Sequence, residues 1–246
     1  MTSLFRALVR HRPFASEPLP EGGGVETFDT REALELNAAR LSHLESLGLP
    51  LANKSVLDLG CGVGHLAQFF IKQKCRVVCV DGRQQNIDSL RARYPGLKAH
   101  VANVESDLSS FGRFDIVLCY GLLYHLENPI AALRNMAAAC NEFLLLETII
   151  CDHSLPVVLL DDETKTYSQG LRGLGCRPSP SYVVMCLDRL GIPFVYGPKT
   201  PPPHPDFQFD WRNTLEWKRD GHLLRSVFVA AKRELQNENL LSLTAP

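Results

Sequence analysis

Runs of consecutive apolar residues alternate with amphipathic segments over the first 150 residues of the chain. The apolar runs predict buried strands at residues 55–59, 76–81, 97–101, 114–119 and 143–147. Between them, apolar residues recur at helical spacing at residues 30–47, 66–70, 84–94 and 129–140. Strands that are apolar on both faces and alternate with helices are typical of a parallel sheet covered on both sides. The pattern therefore predicts an α/β fold around a parallel sheet with helices on both faces.

The regular alternation stops after residue 150. Two segments, residues 151–181 and 197–225, are rich in glycine or proline and have no clear period. A helix is predicted between them at residues 181–190 and a strand at 192–196, and a last strand follows at 226–231. Because long irregular loops within a domain commonly serve function, we expect both segments to be substrate or lid insertions. They belong to one predicted domain, residues 30–246, which follows an N-terminal arm at residues 1–29.

The composition is that of an ordinary globular protein, with 45% hydrophobic and 22% charged residues. The net charge of −1 argues against nucleic acid as a partner, because phosphate binding needs concentrated lysine and arginine. No apolar run reaches the length of a membrane-spanning helix, so no membrane partner is expected. A small-molecule substrate is the expected partner, and the pattern leaves the oligomeric state open.

Eight cysteines are spread through the chain, and none forms a Cys-x-x-Cys pair. Several lie in apolar strands, so we expect buried free thiols and a cytoplasmic location. The first twenty residues carry Arg6, Arg10 and Arg12 ahead of the first acid, Glu17. That composition resembles an organellar transit peptide, which stands as the alternative location.

A glycine-rich turn follows the first predicted strand, with the sequence Asp58-Leu59-Gly60-Cys61-Gly62-Val63-Gly64. Glycines let the backbone turn sharply and approach a ligand closely. The spacing alone admits a dinucleotide-binding loop, because Gly62, Gly64 and Ala67 fit a tolerated variant of Gly-x-Gly-x-x-Gly. An acid at the strand end, two residues before the first glycine, favours another class. The segment resembles the Asp-x-Gly-x-Gly-x-Gly signature of class I S-adenosylmethionine-dependent methyltransferases.

The resemblance covers residues 30–150 best. It implies a Rossmann-like, seven-stranded, mostly parallel sheet with helices on both faces. It also implies S-adenosylmethionine as cofactor, with Asp58 near the amino-acid end of that cofactor. Asp81 ends the second strand, where its carboxylate can accept from ribose hydroxyls; an acid that caps the next helix is the alternative. Asn103 replaces the family's usual adenine-binding acid, and a turn asparagine is the alternative. The predicted cofactor-binding residues are Asp58, Gly60, Gly62, Gly64, Asp81, Gly82, Asn103, Val104 and Tyr120.

Candidate catalytic residues follow the fourth and fifth strands. The segment Gly-Leu-Leu-Tyr-His at residues 121–125 is similar to one in the tRNA wobble-uridine carboxymethyltransferases. His125 is the first candidate base, because imidazole titrates near neutral pH; a structural histidine is the alternative. Glu147 and His153 form a second candidate pair, in which Glu147 alternatively orients a neighbour. No catalytic metal is expected, because metal-dependent O-methyltransferases usually place an acid where this chain has Tyr120.

The sequence therefore predicts an enzyme that transfers a methyl group from S-adenosylmethionine to a small-molecule acceptor. One alternative is an RNA-modifying enzyme that transfers a methyl or carboxymethyl group to tRNA. It is favoured only if four cationic residues form one basic face, namely Arg83, Arg91, Arg93 and Lys98. The other alternative is a non-catalytic cofactor-binding subunit, which a blocked acceptor pocket would favour.

Overall fold

A computed structural model describes residues 24–163 and 169–244 of the chain. The helices are α1 (Arg31–Ser46), α2 (Ala67–Lys72), α3 (Gln84–Arg93), α4 (Pro129–Ala139) and α5 (Pro180–Arg189). The strands are β1 (Ser55–Leu59), β2 (Arg76–Asp81), β3 (Lys98–Val101), β4 (Phe114–Tyr120), β5 (Cys140–Ile149), β6 (Val158–Asp162), β7 (Leu174–Pro178), β8 (Phe194–Pro198), β9 (Lys218–Arg219), β10 (His222–Leu223), β11 (Arg225–Ala231) and β12 (Leu240–Ser242). The three arginines of the transit-peptide hypothesis lie outside the described residues.

The central sheet has the strand order β12-β8-β11-β5-β4-β1-β2-β3. Strands β1 to β5 run parallel within it, whereas β11 is antiparallel to both β5 and β8. The predicted mostly parallel, Rossmann-like sheet is therefore confirmed. Strand β12 pairs antiparallel with β8 and is an eighth strand beyond the seven that were expected.

Successive side chains of the central strands pack alternately in two separate hydrophobic layers. Leu57 of β1 packs in the layer that contains Met136 of α4, and residues of α5 belong to the same layer. The preceding residue, Val56, packs in the opposite layer with Phe70 of α2 and Leu90 of α3. Full burial of one such side chain stabilises the fold by about 1.5–3 kcal/mol. The helices cover both faces of the sheet, as predicted.

Helix α1 begins where the sequence predicts. The Thr30 hydroxyl accepts a hydrogen bond from the Ala33 backbone N–H at 3.2 Å, so it caps the helix. A 3₁₀ turn at Val25–Asp29 precedes this cap and brings Phe28 against the glycine turn after β1. Part of the predicted N-terminal arm therefore contributes to the region where a ligand is expected.

The expectation of an irregular segment at residues 151–181 is wrong in one part. Strands β6 and β7 form an antiparallel hairpin there, with Val158 opposite Pro178 and Asp162 opposite Leu174. The hairpin was not visible in the sequence because its strands show no regular alternation of apolar and polar residues. Leu160 is an apolar residue at a position of β6 that is 64% exposed, so the strand lacks the alternation of apolar and polar residues that predicts a half-buried strand.

None of the described helices combines the length and the apolar character that crossing a membrane requires.

Candidate active site

The first strands of the parallel sheet end at a common edge, and a cleft lies beyond it. Two adjoining cavities of about 80 and 240 Å³ form this cleft, and they share several lining residues. The shared residues are Phe28, Gly60, Gly121, His125 and Gln169. Ligands of open α/β sheets bind at this edge, so the cleft lies where the fold predicts a site.

The glycine turn after β1 forms one wall of the cleft. The backbone N–H groups of Gly60 and Cys61 donate to the Val80 carbonyl at 2.8 and 3.1 Å, which ties the turn to β2. Gly62 has a φ of +52°, a conformation that favours glycine. A β-carbon at Gly62 would lie 2.8 Å from Cε1 of Phe28. Both the backbone conformation and the close approach therefore require glycine at position 62.

Asp81 lies opposite the glycine turn and is held by three donors. Its Oδ2 accepts from the Gly62 N–H at 3.0 Å, and its Oδ1 accepts from Arg83 N at 2.9 Å and Asn86 Nδ2 at 3.0 Å. Burial raises the pKa of this carboxyl despite these hydrogen bonds. A carboxylate has about four acceptor positions, so Asp81 keeps acceptor capacity for a ligand in the cleft that it lines.

Asp58 is a buried carboxylate with an unused acceptor. It is 2% exposed, and no described residue donates a hydrogen bond to its Oδ2. Burial and the nearby charge of Asp81 raise the pKa of Asp58 to about 7. A buried acceptor without a donor is costly, and a cationic ligand beside it would remove that cost.

The smaller cavity is lined by the predicted residues that follow β2 and β3. Gly82, Asn103 and Val104 all border it. Asn103 Oδ1 accepts from the Glu105 backbone N–H at 3.0 Å, which is the turn geometry that stood as the alternative for this residue. The oxygen keeps a second lone pair, so the turn role and contact with a ligand are compatible.

Two residues that line the larger cavity each have a buried polar atom without a described partner. Tyr120 is 5% exposed and its hydroxyl has no hydrogen-bond partner among the described residues; burial raises its pKa. Arg40 of α1 was not predicted from the sequence. Its Nη1 donates to Asn37 Oδ1 at 3.0 Å, its Nη2 donates to Glu147, and its Nε has no described partner. Arg40 lines the cavity beside the glycine turn and brings a cationic side chain into the site.

Glu147 lies at the centre of a buried ion-pair network. Its side chain is 0% exposed, and its two oxygens accept from Arg40 Nη2 and, at 3.0 Å, from Arg225 Nη1. Arg225 Nε also donates to Asp206 at 3.1 Å. Burial acts to raise the pKa of Glu147, but the two arginines hold it below its usual value. This geometry matches the alternative in which Glu147 orients its neighbours.

His125 lines both cavities and is joined to an acid that the sequence did not reveal. Its Nδ1 lies 2.9 and 2.8 Å from the two carboxylate oxygens of Glu163. Burial lowers the pKa of His125, and this effect outweighs the opposite effect of Glu163. The imidazole is therefore neutral near pH 7, which is the protonation state that can accept a proton.

His153 lies apart from the cleft. It lines a separate groove of about 870 Å³ beside α5, and its Nδ1 accepts from the Leu155 backbone N–H at 3.0 Å. No hydrogen bond joins His153 to Glu147 among the described residues, so the structure does not bring the predicted pair together. Within residues 24–163 and 169–244, no group of three or more His, Cys, Asp and Glu side chains is arranged to hold a metal ion.

Comparisons with known proteins identify related sequences. The model of a family described as a methyltransferase domain matches residues 26–169. A ubiquinone biosynthesis O-methyltransferase of Vibrio parahaemolyticus is 27% identical over 109 residues, which are 42% of this chain and 46% of that protein. A tRNA U34 carboxymethyltransferase of Alteromonas mediterranea is 30% identical over 154 residues, 58% of this chain and 46% of that protein. The matches thus span less than half of each relative.

Solved structures share the fold. The N-terminal domain of EvdMO1, determined with SAH bound, has a TM-score of 0.63 at 21% identity, and the match covers 80% of this chain and 81% of that one. Magnesium protoporphyrin IX methyltransferase of Synechocystis PCC 6803 with bound SAH has a TM-score of 0.55 at 15% identity, covering 81% and 83%. The chain therefore belongs to the methyltransferase-domain family and has the class I S-adenosylmethionine-dependent methyltransferase fold.

Proposed function

We propose that the cleft binds S-adenosylmethionine and that the chain transfers its methyl group to a small acceptor with a dissociable proton. The observation that carries the proposal is the pair of buried carboxylates beside the glycine turn. Asp58 lacks a donor on one oxygen, and Asp81 keeps acceptor capacity. S-adenosylmethionine offers an ammonium group and ribose hydroxyls, which are the donors that such a pair can bind.

Residues that line the cleft fit the remaining parts of the cofactor. The cavity bordered by Gly82, Asn103 and Val104 is the place for adenine, since Asn103 supplies an acceptor. The carboxylate of the amino-acid end fits Arg40, whose guanidinium lines the larger cavity beside the glycine turn. We assign Glu147 the task of holding Arg40 and Arg225 in place, because it contacts both.

Bound S-adenosylmethionine supplies a methyl group on a positively charged sulfur. His125 would accept the proton that the acceptor loses on methylation, and the sulfur of the cofactor would leave with the electrons of the carbon–sulfur bond. Phe28 and Gln169, which border both cavities, exclude water from the reacting atoms. Tyr120 also lines the larger cavity, and we assign it a contact with the cofactor.

A small molecule is favoured over RNA as the acceptor. The RNA alternative requires four cations on one face, but Arg83 donates to two backbone carbonyls of the insertion at 3.0 Å. Arg93 is paired with Asp29 at 2.6 Å. Only Arg91 and Lys98 line the same surface cavity. The relative that acts in ubiquinone biosynthesis carries the name of an O-methyltransferase, which supports a hydroxyl acceptor.

His125 lines the cavity in which we place the amino-acid end of the cofactor, and a candidate base beside the cofactor favours an enzyme over a non-catalytic subunit. We retain the cytoplasmic location as a proposal, since all eight cysteines are free thiols.

The experiment is a turnover assay with methyl-labelled S-adenosylmethionine and a panel of small hydroxylated and aminated compounds. Once an acceptor is found, we expect His125→Ala to lower turnover by roughly 10²–10⁴-fold and to leave cofactor affinity nearly unchanged. The rate of the wild-type protein should fall as the pH drops through the pKa of His125, because protonated imidazole cannot accept a proton. Normal turnover per folded molecule with a lowered melting temperature would assign His125 a structural role instead.

A further inference from the structure

The carboxylate of Glu163 is enclosed in a cradle built by the insertion hairpin and the turn that bears His125. The side chain is 2% exposed, and its Oε2 accepts from the Gly170 backbone N–H at 2.7 Å. Arg177 Nη1 lies 3.6 Å from its Oε1. Gly170 and Arg177 thus hold the carboxylate from two sides, in addition to its contact with His125.

Two glycines permit this enclosure. A β-carbon at Gly175 would lie 2.5 Å from Oε1 of Glu163 and 2.5 Å from the Tyr124 carbonyl oxygen. A β-carbon at Gly170 would lie 2.6 Å from the His125 carbonyl oxygen. Both positions exclude a larger residue, because the hairpin backbone packs directly against the carboxylate and the turn.

The return strand of the hairpin also fixes the backbone of the turn Leu123–His125. Arg177 of β7 donates from Nη1 to the Tyr124 carbonyl at 2.9 Å. The thiol of Cys176 donates to the Leu123 carbonyl at 3.3 Å. The insertion therefore holds both the main chain and the side chain of the segment that ends in His125.

We propose that Glu163 is the positioning residue for His125, and that the β6–β7 hairpin supplies this half of the catalytic pair. This inference rests on the proposed function, in which His125 is the base. Glu163 accepts a hydrogen bond from Nδ1–H, so the proton of the neutral ring resides on Nδ1 and the lone pair on Nε2. Nε2 has no hydrogen-bond partner among the described residues, and its ring borders both cavities of the cleft.

The pairing has two consequences for the reaction. It selects the ring tautomer that can accept a proton at Nε2, and it places a negative charge where the imidazolium forms as the acceptor loses its proton. Other charges also face the ring: the guanidinium groups of Arg177 and Arg225 lower the pKa of His125, as burial does. Glu163 is the charge that opposes them.

The tautomer can be measured by long-range ¹H–¹⁵N spectra of histidine-labelled protein, without any acceptor. The protein contains eight histidines, and His125→Gln identifies the signals of His125 by their loss. In the wild-type protein we expect protonated Nδ1 and unprotonated Nε2 above the pKa of the ring. Glu163→Gln should lower that pKa by about 1–3 units, because it removes the opposing charge.

Asp162→Asn is the matched control, because this exposed neighbour loses the same charge without contact to His125. It should leave the tautomer unchanged. Calorimetry with S-adenosylhomocysteine runs in parallel on all variants and tests the proposed function separately: absence of binding overturns that function and leaves the tautomer result valid.

A proton on Nε2 in the wild-type protein overturns the inference, and this result needs no folded Glu163 variant. The inference is also overturned if Glu163→Gln folds, binds S-adenosylhomocysteine and keeps both the pKa and the tautomer of His125. With an acceptor available, Glu163→Gln should lower kcat and leave the acceptor KM nearly unchanged.

Discussion

The ends of β1 and β5 each carry a buried carboxylate, and the two carboxylates have opposite surroundings. Glu147 on β5 is enclosed by two arginines that lower its pKa against the effect of burial. Asp58 on β1 has an oxygen with no described donor and a pKa raised to about 7. The comparison shows that burial alone does not define a role: both oxygens of Glu147 have partners within the chain, whereas Oδ2 of Asp58 has none among the described residues, which is why we propose a ligand contact for Asp58.

The largest expected effect comes from removing the charge of Glu147, the carboxylate that two arginines contact. Glu147→Gln removes the charge between Arg40 and Arg225, and both guanidinium groups remain buried. We expect the free energy of unfolding to fall by about 3–5 kcal/mol, because loss of one partner leaves buried charge uncompensated. Urea unfolding measures this change.

Glu142→Gln on the same strand is the control for this effect. Glu142 pairs with Lys54 at 2.6 Å but is 44% exposed, so its loss should cost at most about 1 kcal/mol. Equal losses for the two variants would show that the buried network contributes no more than a surface pair.

Through Asp58, the stability of the protein should depend on pH with the opposite sign to its dependence through Glu147. The folded pKa of Asp58 lies above its unfolded value, so its contribution to stability is present at low pH and is lost as the pH rises towards about 7. Glu147 contributes above its unfolded pKa and loses that contribution as the pH falls through its folded pKa. Asp58→Asn removes only the first dependence.

Unfolding of wild type and Asp58→Asn at pH 5 and pH 8 tests this sign. Relative to wild type, the variant should gain about 2–3 kcal/mol in unfolding free energy between the two values. Asp88→Asn, an exposed substitution on α3, should show no such gain. If the difference in unfolding free energy between Asp58→Asn and wild type is the same at both pH values, burial does not raise the pKa of Asp58.

A smaller expected effect concerns the turn between the two acids, Asp58 and Asp81. Gly62→Val forces a β-branched residue into a φ of +52° and towards Phe28. The strain should lower the free energy of unfolding by roughly 1–3 kcal/mol. Binding of S-adenosylhomocysteine should weaken as well, because the side chain displaces the turn and Phe28 in the cleft. Gly96→Val is the control, because Gly96 has a φ of +93° and no atom within 4 Å of an added β-carbon. If both variants bind equally well, the turn does not contact the cofactor.

The same contrast between the two acids explains what the sequence could predict. Asp58 and Asp81 stand at the ends of apolar strands, so local pattern and strand order suffice to bring them to one edge of the sheet. Arg40 could not be recognised in this way, because its contact with Glu147 spans 107 positions along the chain. It occupies an ordinary charged position on an amphipathic helix.

Glu163 was missed for a related reason. It follows β6, a partly exposed strand that lacks a regular alternation of apolar and polar residues, and its partner His125 lies 38 positions away. The fold of residues 30–150 could be predicted from the period of the hydrophobic residues. The proposed acceptor side of the cleft could not, because it depends on contacts between segments that are distant in the sequence. The predicted catalytic role of His125 stays a prediction, and the structure adds the partner that makes it testable.

Calorimetric titration with S-adenosylhomocysteine and with NAD distinguishes the two cofactor classes that the glycine turn alone admits. We expect the wild-type protein to bind S-adenosylhomocysteine with one site per chain and not to bind NAD. Asp81→Ala should weaken that binding by about 1–3 kcal/mol through loss of charge-assisted hydrogen bonds. Tight binding of NAD together with no binding of S-adenosylhomocysteine would show that the cleft is a dinucleotide site and that the chain is not a methyltransferase.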